Sequence, residues 1–440
     1  MSATDPSPVP ADTEALLAFI DAAPSPYHAA AEAARLLAAA GFQPLDPAGT
    51  WPTDPGRWYV IDGGGLVAWA AGPDTAPDAG FRLVGAHTDS PNLRVKARPD
   101  TGRLGWRQIG VEVYGGALVN SWLDRDLGVS GRVAVRAPGT PAGMSLELMR
   151  DDRPLFRVPQ LAIHLDREIR DRGLQLNPQQ HLAPVWGLGV VHEGAFRAYV
   201  ADALAVDDDD VLSWDLMFHD LTPSTVAGAR GEFVSAPRLD NLCSAHGAVR
   251  ALLGALDAGG RADVVPAICL FDHEEVGSVS GTGAGGTLLP RLLERSVLAR
   301  GGDREAYLRA LAASVCVSAD MAHATHPNYP ERHEPDHPIA LDGGPVIKVN
   351  ANQRYASDAR SAATFRLAAE QAGVPVQEYV HRTDLPCGST IGPITAAQLG
   401  IPTVDVGVAQ LAMHSARELA GSRDPARLVA ALTAFLAPTT

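Results

Sequence analysis

Two adjacent glutamates, Glu274 and Glu275, close the apolar run Ala267, Ile268, Cys269, Leu270, Phe271 in the segment AICLFDHEEVGS. Such a run reads as a buried strand, and side chains leaving a strand point alternately to opposite sides. The two carboxylates can therefore serve different partners, one holding a cation while its neighbour moves a proton. A solvated acidic pair on a loop has the same local sequence, but four further islands place acids or histidines just past an apolar segment. They are HTDSP (His87, Asp89), RLDN (Asp240), SADMAH (Asp320, His323) and QLAMHS (His414). Two histidines with three carboxylates suit a pair of divalent zinc-like ions, because imidazole and carboxylate are both good zinc ligands. Asp89 lies two residues from His87, on the same face of an extended segment, and can accept the second imidazole proton and fix the tautomer. Singly, each island has a plainer use: Asp240 serves equally as a helix N-cap ahead of NLCSAHGAV, and SADMAH as an acidic turn. Five islands in one chain are hard to assign wholly to caps and turns.

The elements that must position these groups are legible as changes of texture. Asp12 to Gly41 reads as two helices separated by AAPSP, with Ser25 as N-cap, Pro26 in the first turn and Gly41 closing an alanine-rich run. Short β-like pieces, RWYVID and LVAWA, lead to FRLVGAHTDSP. From about Val95 to Gly231 the chain turns to short alternating segments such as VEVYGGALV, GRVAVRA and SLELM, a β-rich inserted domain whose acidic run Asp207 to Asp210 is a solvated loop. After Ser235, helices alternate with buried strands, which implies an α/β layer with a mixed, mostly parallel sheet flanked by helices. The domain expectation is therefore a catalytic domain in two parts, 1–94 and 232–440, interrupted by the β-rich domain 95–231. Strand ends of such a sheet are where ligand sites collect.

Composition narrows the class. At 440 residues the chain exceeds the size of one core, so two domains are expected. No apolar stretch reaches the roughly 18 residues of a membrane span, and the N-terminus MSATDPSPVPADTEALL lacks the basic and apolar order of a signal peptide, so a cytoplasmic location is expected. The four cysteines, Cys243, Cys269, Cys316 and Cys387, stand far apart and read as reduced, mostly buried thiols. A net charge of −15 argues against nucleic acid and means that an acidic ligand needs a local positive group. Of 36 basic residues only Lys96 and Lys348 are lysines, and both lie just downstream of candidate islands. For Lys96 a structural ion pair is the plain reading.

Competing signals are weaker. GTGAGG (Gly281 to Gly286) matches a dinucleotide pattern, but DHEEVGS separates it from the strand where a tight phosphate turn should be immediate. The histidines of HATHPNYPERHEPDHP read as a proline-rich surface loop rather than a second metal cluster.

AHTDSPNLRVK, VEVYGGALVNSWLDRDLGVSGRV, LAIHLDREIRDRGLQLNPQQHLAP, RLDN, FDHEEVGS, GGPVIKVNANQRYASD, DLPCGSTIGPI and VDVGVAQLAMHSARE resemble, in order and over nearly the whole chain, the aspartyl aminopeptidases. These are dinuclear-zinc exopeptidases. The resemblance implies a zinc aminopeptidase fold, an inserted dimerisation domain and a tetrahedral dodecamer. It implies that Asp240 bridges two metals, most simply zinc with manganese or cobalt as alternatives. His87 and Asp320 would complete one site, and Glu275 and His414 the other. Glu274 would be the general base, with Asp89 counted beside it as catalytic. His164 matches a histidine that reaches a neighbouring subunit's active site. Lys348 matches the residue that binds the acidic side chain of the substrate, with Tyr355 in the same region and His323 also counted as substrate-binding. Two departures concern local shape: His273 stands where members often carry asparagine, and GTGAGG replaces a glutamine-containing segment.

The expected activity is removal of N-terminal Asp or Glu from peptides through a dimetal-activated water, the metal lowering the pKa of water from about 15.7 to about 7. A dimetal amidohydrolase acting on small N-acyl amino acids is the alternative enzyme, and an assembly protein with a decayed site the non-enzyme alternative.

Overall fold

The computed structural model describes residues 9–259 and 261–439; the first eight residues of the N-terminus read above lie outside them. The chain divides into two compact units. The first comprises residues up to Asp89, Ser224–Met413 and Glu418 onward; the second comprises Ser90–Pro223 with His414–Arg417. The texture boundary at Val95 falls inside the Asn92–Thr101 strand of the second unit, and Thr225–Ala227, ahead of the expected end at 231, pairs within the first unit.

The first unit is built on a nine-stranded sheet. Its four central strands, Val264–Phe271, Gly80–His87, Val315–Ala319 and Thr403–Gly407, run parallel in that order. They read as continuous apolar runs because helices cover both faces. Period-two alternation then divides the side chains between two cores. Leu66, Ala68, Ile268 and Leu270 join helices Ala11–Ala22, Pro26–Ala39, Leu239–Asp257, Ala359–Gln371 and Asp424–Leu436 on one face. Val67, Trp69, Cys269 and Phe271 join Leu288–Ala299 and Arg304–Ala312 on the other. Antiparallel strands at both flanks make the sheet mixed. At the N-terminus, Ser25 caps Pro26–Ala39 by accepting the His28 N–H, and Gly41 takes φ +86°, as the capping residues foretell.

The second unit holds a six-stranded antiparallel sheet, from the edge strand Met144–Phe156 to the short Val185–Leu188. Phe156, Phe196 and Phe218 form the middle of its core. Asp208–Asp210 is an exposed 3-10 turn, with Asp210 paired to Arg136 at 3.2 Å. Lys96 departs from the ion-pair expectation: its Nζ donates to Gln179 Oε1 at 3.0 Å. Cys243, Cys269 and Cys316 are buried free thiols, and Cys387 is free and half-buried. Among the described residues no helix is long and apolar enough to cross a membrane.

Candidate metal centre

Parallel pairing sets Phe271 opposite His87 in register, so the two strands deliver DHEE and HTD to the same end of the sheet. Asp320 follows the next strand, Val315–Ala319. Thr88 locks the crossing: its N–H donates to Phe271 O at 2.8 Å and its hydroxyl to Gly64 O at 2.7 Å. Asp240 arrives at the start of the helix Leu239–Asp257, where Asp240 and Asn241 depart from helical geometry. Its backbone N–H donates to Glu418 Oε2 at 3.0 Å, and Asn241 Nδ2 donates to Ala319 O at 2.8 Å, tying it to the strand that carries Asp320.

His87 is the hub. Its Nδ1 lies 3.0 Å from the Asp89 backbone oxygen and 3.4 Å from Asp89 Oδ1. The shorter contact is to the backbone, because the Asp89 carboxylate has other work: Oδ1 accepts the Glu274 N–H and Oδ2 the Glu275 N–H, each at 3.1 Å. With Nδ1 so engaged, Nε2 faces Asp240 Oδ1 at 3.4 Å and Asp320 Oδ1 at 3.6 Å. Donor atoms of His87, Asp240 and Glu275 all lie within 4.8 Å of one another. Tetrahedral zinc with ligands at 2.0–2.2 Å places its donors roughly 3.4 Å apart, so this spacing fits such an ion.

Electrostatics favour the same occupant. Burial pushes the Glu274 carboxyl up to about 8, with Asp320, Asp89 and Asp240 adding to the rise and His87 opposing it. Burial and Asp240 drive Glu275 well above the carboxylate range. Burial opposes protonation of His87, yet Asp240, Asp320 and Asp89 overcome it and raise the imidazole well above its ordinary value. A nitrogen lone pair facing two carboxylate oxygens needs a cation between them, proton or metal. Residues present thus suit a divalent zinc-like ion.

Lys348 borders the cluster, buried at 2% exposure. Its Nζ lies 3.6 Å from Asp320 Oδ2, donates to Met321 O at 3.1 Å, and stands 5.1 Å from the Tyr355 ring centroid. Tyr355 and His323 each pack a ring against Tyr379, at 6.3 and 6.1 Å. His164 is exposed in a turn of the second unit. His414 also belongs to that unit, with Nδ1 3.1 Å from Gly116 O.

Three supporting residues escaped the sequence reading. Glu418 and Asn241 brace Asp240. Asp405 lies fully buried in Thr403–Gly407, where it accepts from Ser318, Thr390 and the Ala356 N–H, and its Cα pairs across the strands with Lys348. Burial raises its carboxyl and Lys348 opposes the rise. The available signal was an acid interrupting the apolar strand TVDVG; Asn241 and Glu418 stood inside RLDN and VDVGVAQLAMHSARE without a role assigned to them.

Residues 19–436 match the family described as Aminopeptidase I zinc metalloprotease (M18). The chain belongs to the M18 family. A curated relative, "Probable M18 family aminopeptidase 2" of Mycobacterium leprae, is 54% identical over 427 residues, covering 97% of this chain and 99% of the relative. A chain of the Ape4 and Nbr1 complex is 36% identical, with TM-score 0.91 over 97% of this chain and 85% of that one. The S. cerevisiae mApe1 dodecamer is 28% identical, with TM-score 0.84 over 96% and 95%. This M18 chain is a zinc-family metalloaminopeptidase with the fold of its relatives.

Proposed function

We propose that this M18 aminopeptidase binds two divalent ions, most simply zinc, and preferentially removes N-terminal Asp or Glu. The observation that carries the metal reading is the donor spacing around His87 Nε2, 3.4 and 3.6 Å to two carboxylates. His87 and Asp320 would hold one ion and Glu275 the other, with Asp240 available to both. His414 enters this set on the sequence resemblance. When bound, the ions supply Lewis acidity toward water and the scissile carbonyl.

Glu274 takes a proton from the attacking water and passes it to the leaving amine. Asp89 holds the backbone of both glutamates so that the base and the ligand keep separate orientations. Lys348 supplies the local positive charge that an acidic substrate needs in a chain whose net charge is −15. Its Nζ donates one hydrogen bond, to Met321 O, and lies 3.6 Å from Asp320 Oδ2; an ammonium has three N–H donors, so it can also serve a substrate carboxylate. Tyr355, whose ring faces the Lys348 ammonium, and His323, which packs against the same Tyr379 ring, lie on that side of the site. His164 acts in a neighbouring subunit and the chain self-associates through its β-rich domain, a reading supported by the resemblance and the dodecameric relative. A cytoplasmic setting accords with the free thiols.

Kinetics with aminoacyl substrates of Asp, Glu, Leu and Lys, after reconstitution with zinc, manganese or cobalt, test the specificity. Higher kcat/KM for Asp and Glu is expected; equal values across the panel overturn it.

A further inference from the structure

The segment that carries Glu274 is bounded by residues in the left-handed region: His273 at φ +65°, Gly277 at +97° and Ser278 at +62°. Between them Glu274–Val276 forms one 3-10 turn, closed by Gly277 N–H to Glu274 O at 2.9 Å and Ser278 N–H to His273 O at 2.8 Å. Left-handed backbone is costly for most side chains and best tolerated by Gly, Asn, Asp and His. His273 satisfies that demand and then uses its ring. Nδ1 bonds Ser280 Oγ at 2.9 Å and lies 3.4 Å from Thr282 Oγ1, while Nε2 stands 3.7 Å from the buried Asp272 carboxylate.

Those contacts fold the glycine-rich segment back onto the turn. Asp272 N–H donates to Thr282 O at 3.1 Å, Gly285 N–H to Ser278 O at 3.0 Å and Gly283 N–H to Ser280 Oγ at 3.0 Å. A Cβ at Gly283 would overlap the Ser278 carbonyl oxygen, and one at Gly286 the Ser280 carbonyl oxygen, so the glycines allow this close return. GTGAGG is therefore a packing device for the Glu274 turn.

We propose that His273 is a positioning residue for Glu274: its ring pins Ser280 and Thr282, fixing the turn through contacts separate from those of Asp89. This role rests on Glu274 being the base. The pin is geometric, since Nδ1 occupies the place that asparagine Oδ1 would occupy, the same number of bonds from Cα. Asparagine thus reproduces both the backbone conformation and the contact to Ser280, whereas glycine reproduces the backbone alone.

The test compares His273→Gly, His273→Asn, Ser280→Ala and Glu274→Gln in the metal-loaded enzyme, reading kcat, KM and bound metal. A misplacement of about 1 Å in a catalytic group costs on the order of a hundredfold. His273→Gly is therefore expected to lower kcat by about ten- to a hundredfold, with KM and metal content unchanged. His273→Asn recovers most of that loss. Ser280→Ala lowers kcat in the same direction, and combining it with His273→Gly adds little. Wild-type kcat in His273→Gly, no recovery in His273→Asn, or loss of metal in His273→Gly would each overturn the pin. Turnover surviving in Glu274→Gln overturns the base assignment and the pin with it. Abolished turnover there, beside an unchanged His273→Gly, overturns the pin alone.

Discussion

The Asp89 carboxylate accepts the backbone N–H of Glu274 at 3.1 Å through Oδ1, and its Oδ2 does the same for Glu275. One side chain, fully buried, thereby fixes two neighbouring residues while its own backbone oxygen orients His87. Hydrogen bonds to a charged acceptor contribute about 1.5–3 kcal/mol each. Asp89→Ala is expected to lower kcat/KM by roughly ten- to a hundredfold, the usual cost of losing a residue that orients metal ligands. Steady-state kinetics at saturating zinc check it, and a variant within twofold of wild type contradicts the clamp.

Much of this arrangement was legible from the chain, for identifiable reasons. The apolar runs ending at His87 and Phe271 announced buried strands, and they pair in register at the centre of the sheet. Ser25, Pro26 and Gly41 marked helix ends because capping is a local matter. The Asp89 clamp was not legible, since it joins residues 185 positions apart through backbone amides that every sequence possesses. Glu418 was hidden for the same reason, reaching 178 positions to the Asp240 N–H. The return of His414–Arg417 to the second unit leaves no mark in composition either.

Lys348 should set substrate preference. Lys348→Met removes the buried ammonium beside Asp320, and the ratio of kcat/KM for acidic over neutral substrates is expected to fall by at least about tenfold, one charge-assisted hydrogen bond's worth. Lys348→Arg should not restore it, because a planar guanidinium does not replace a compact ammonium in a closed space. An unchanged ratio in Lys348→Met contradicts the assignment.

His246 should make stability fall in acid. It is buried in Leu239–Asp257 against Phe19, and burial, aided by the Arg250 charge, pushes its imidazole down to about 3. The unfolded value is roughly 6.5, so the unfolded chain binds the proton first. Stability from this group is fully present above about pH 6.5 and is lost toward pH 3 at up to about 1.4 kcal/mol per pH unit. Between pH 7.5 and 5, His246→Leu should lose about 2 kcal/mol less than wild type in urea unfolding. Equal losses contradict the expectation.

Gly407 gives a test of how tightly Asp320 is held. A Cβ there would overlap the Asp320 carbonyl oxygen, at the end of a strand whose Val406 carbonyl already accepts the Asp320 N–H at 2.9 Å. Gly407→Ala is expected to destabilise the protein by about 1–3 kcal/mol and to weaken zinc retention. Thermal unfolding and metal analysis after dialysis measure both; wild-type values in each contradict the packing.

If Glu274 moves the proton while Glu275 holds the metal, Glu274→Gln separates the two roles. Metal analysis and turnover on the same purified sample should show about two ions per chain, as in wild type, with hydrolysis abolished. Retained turnover, or loss of bound metal in that variant, would contradict Glu274 as the base and return it to the ligand set.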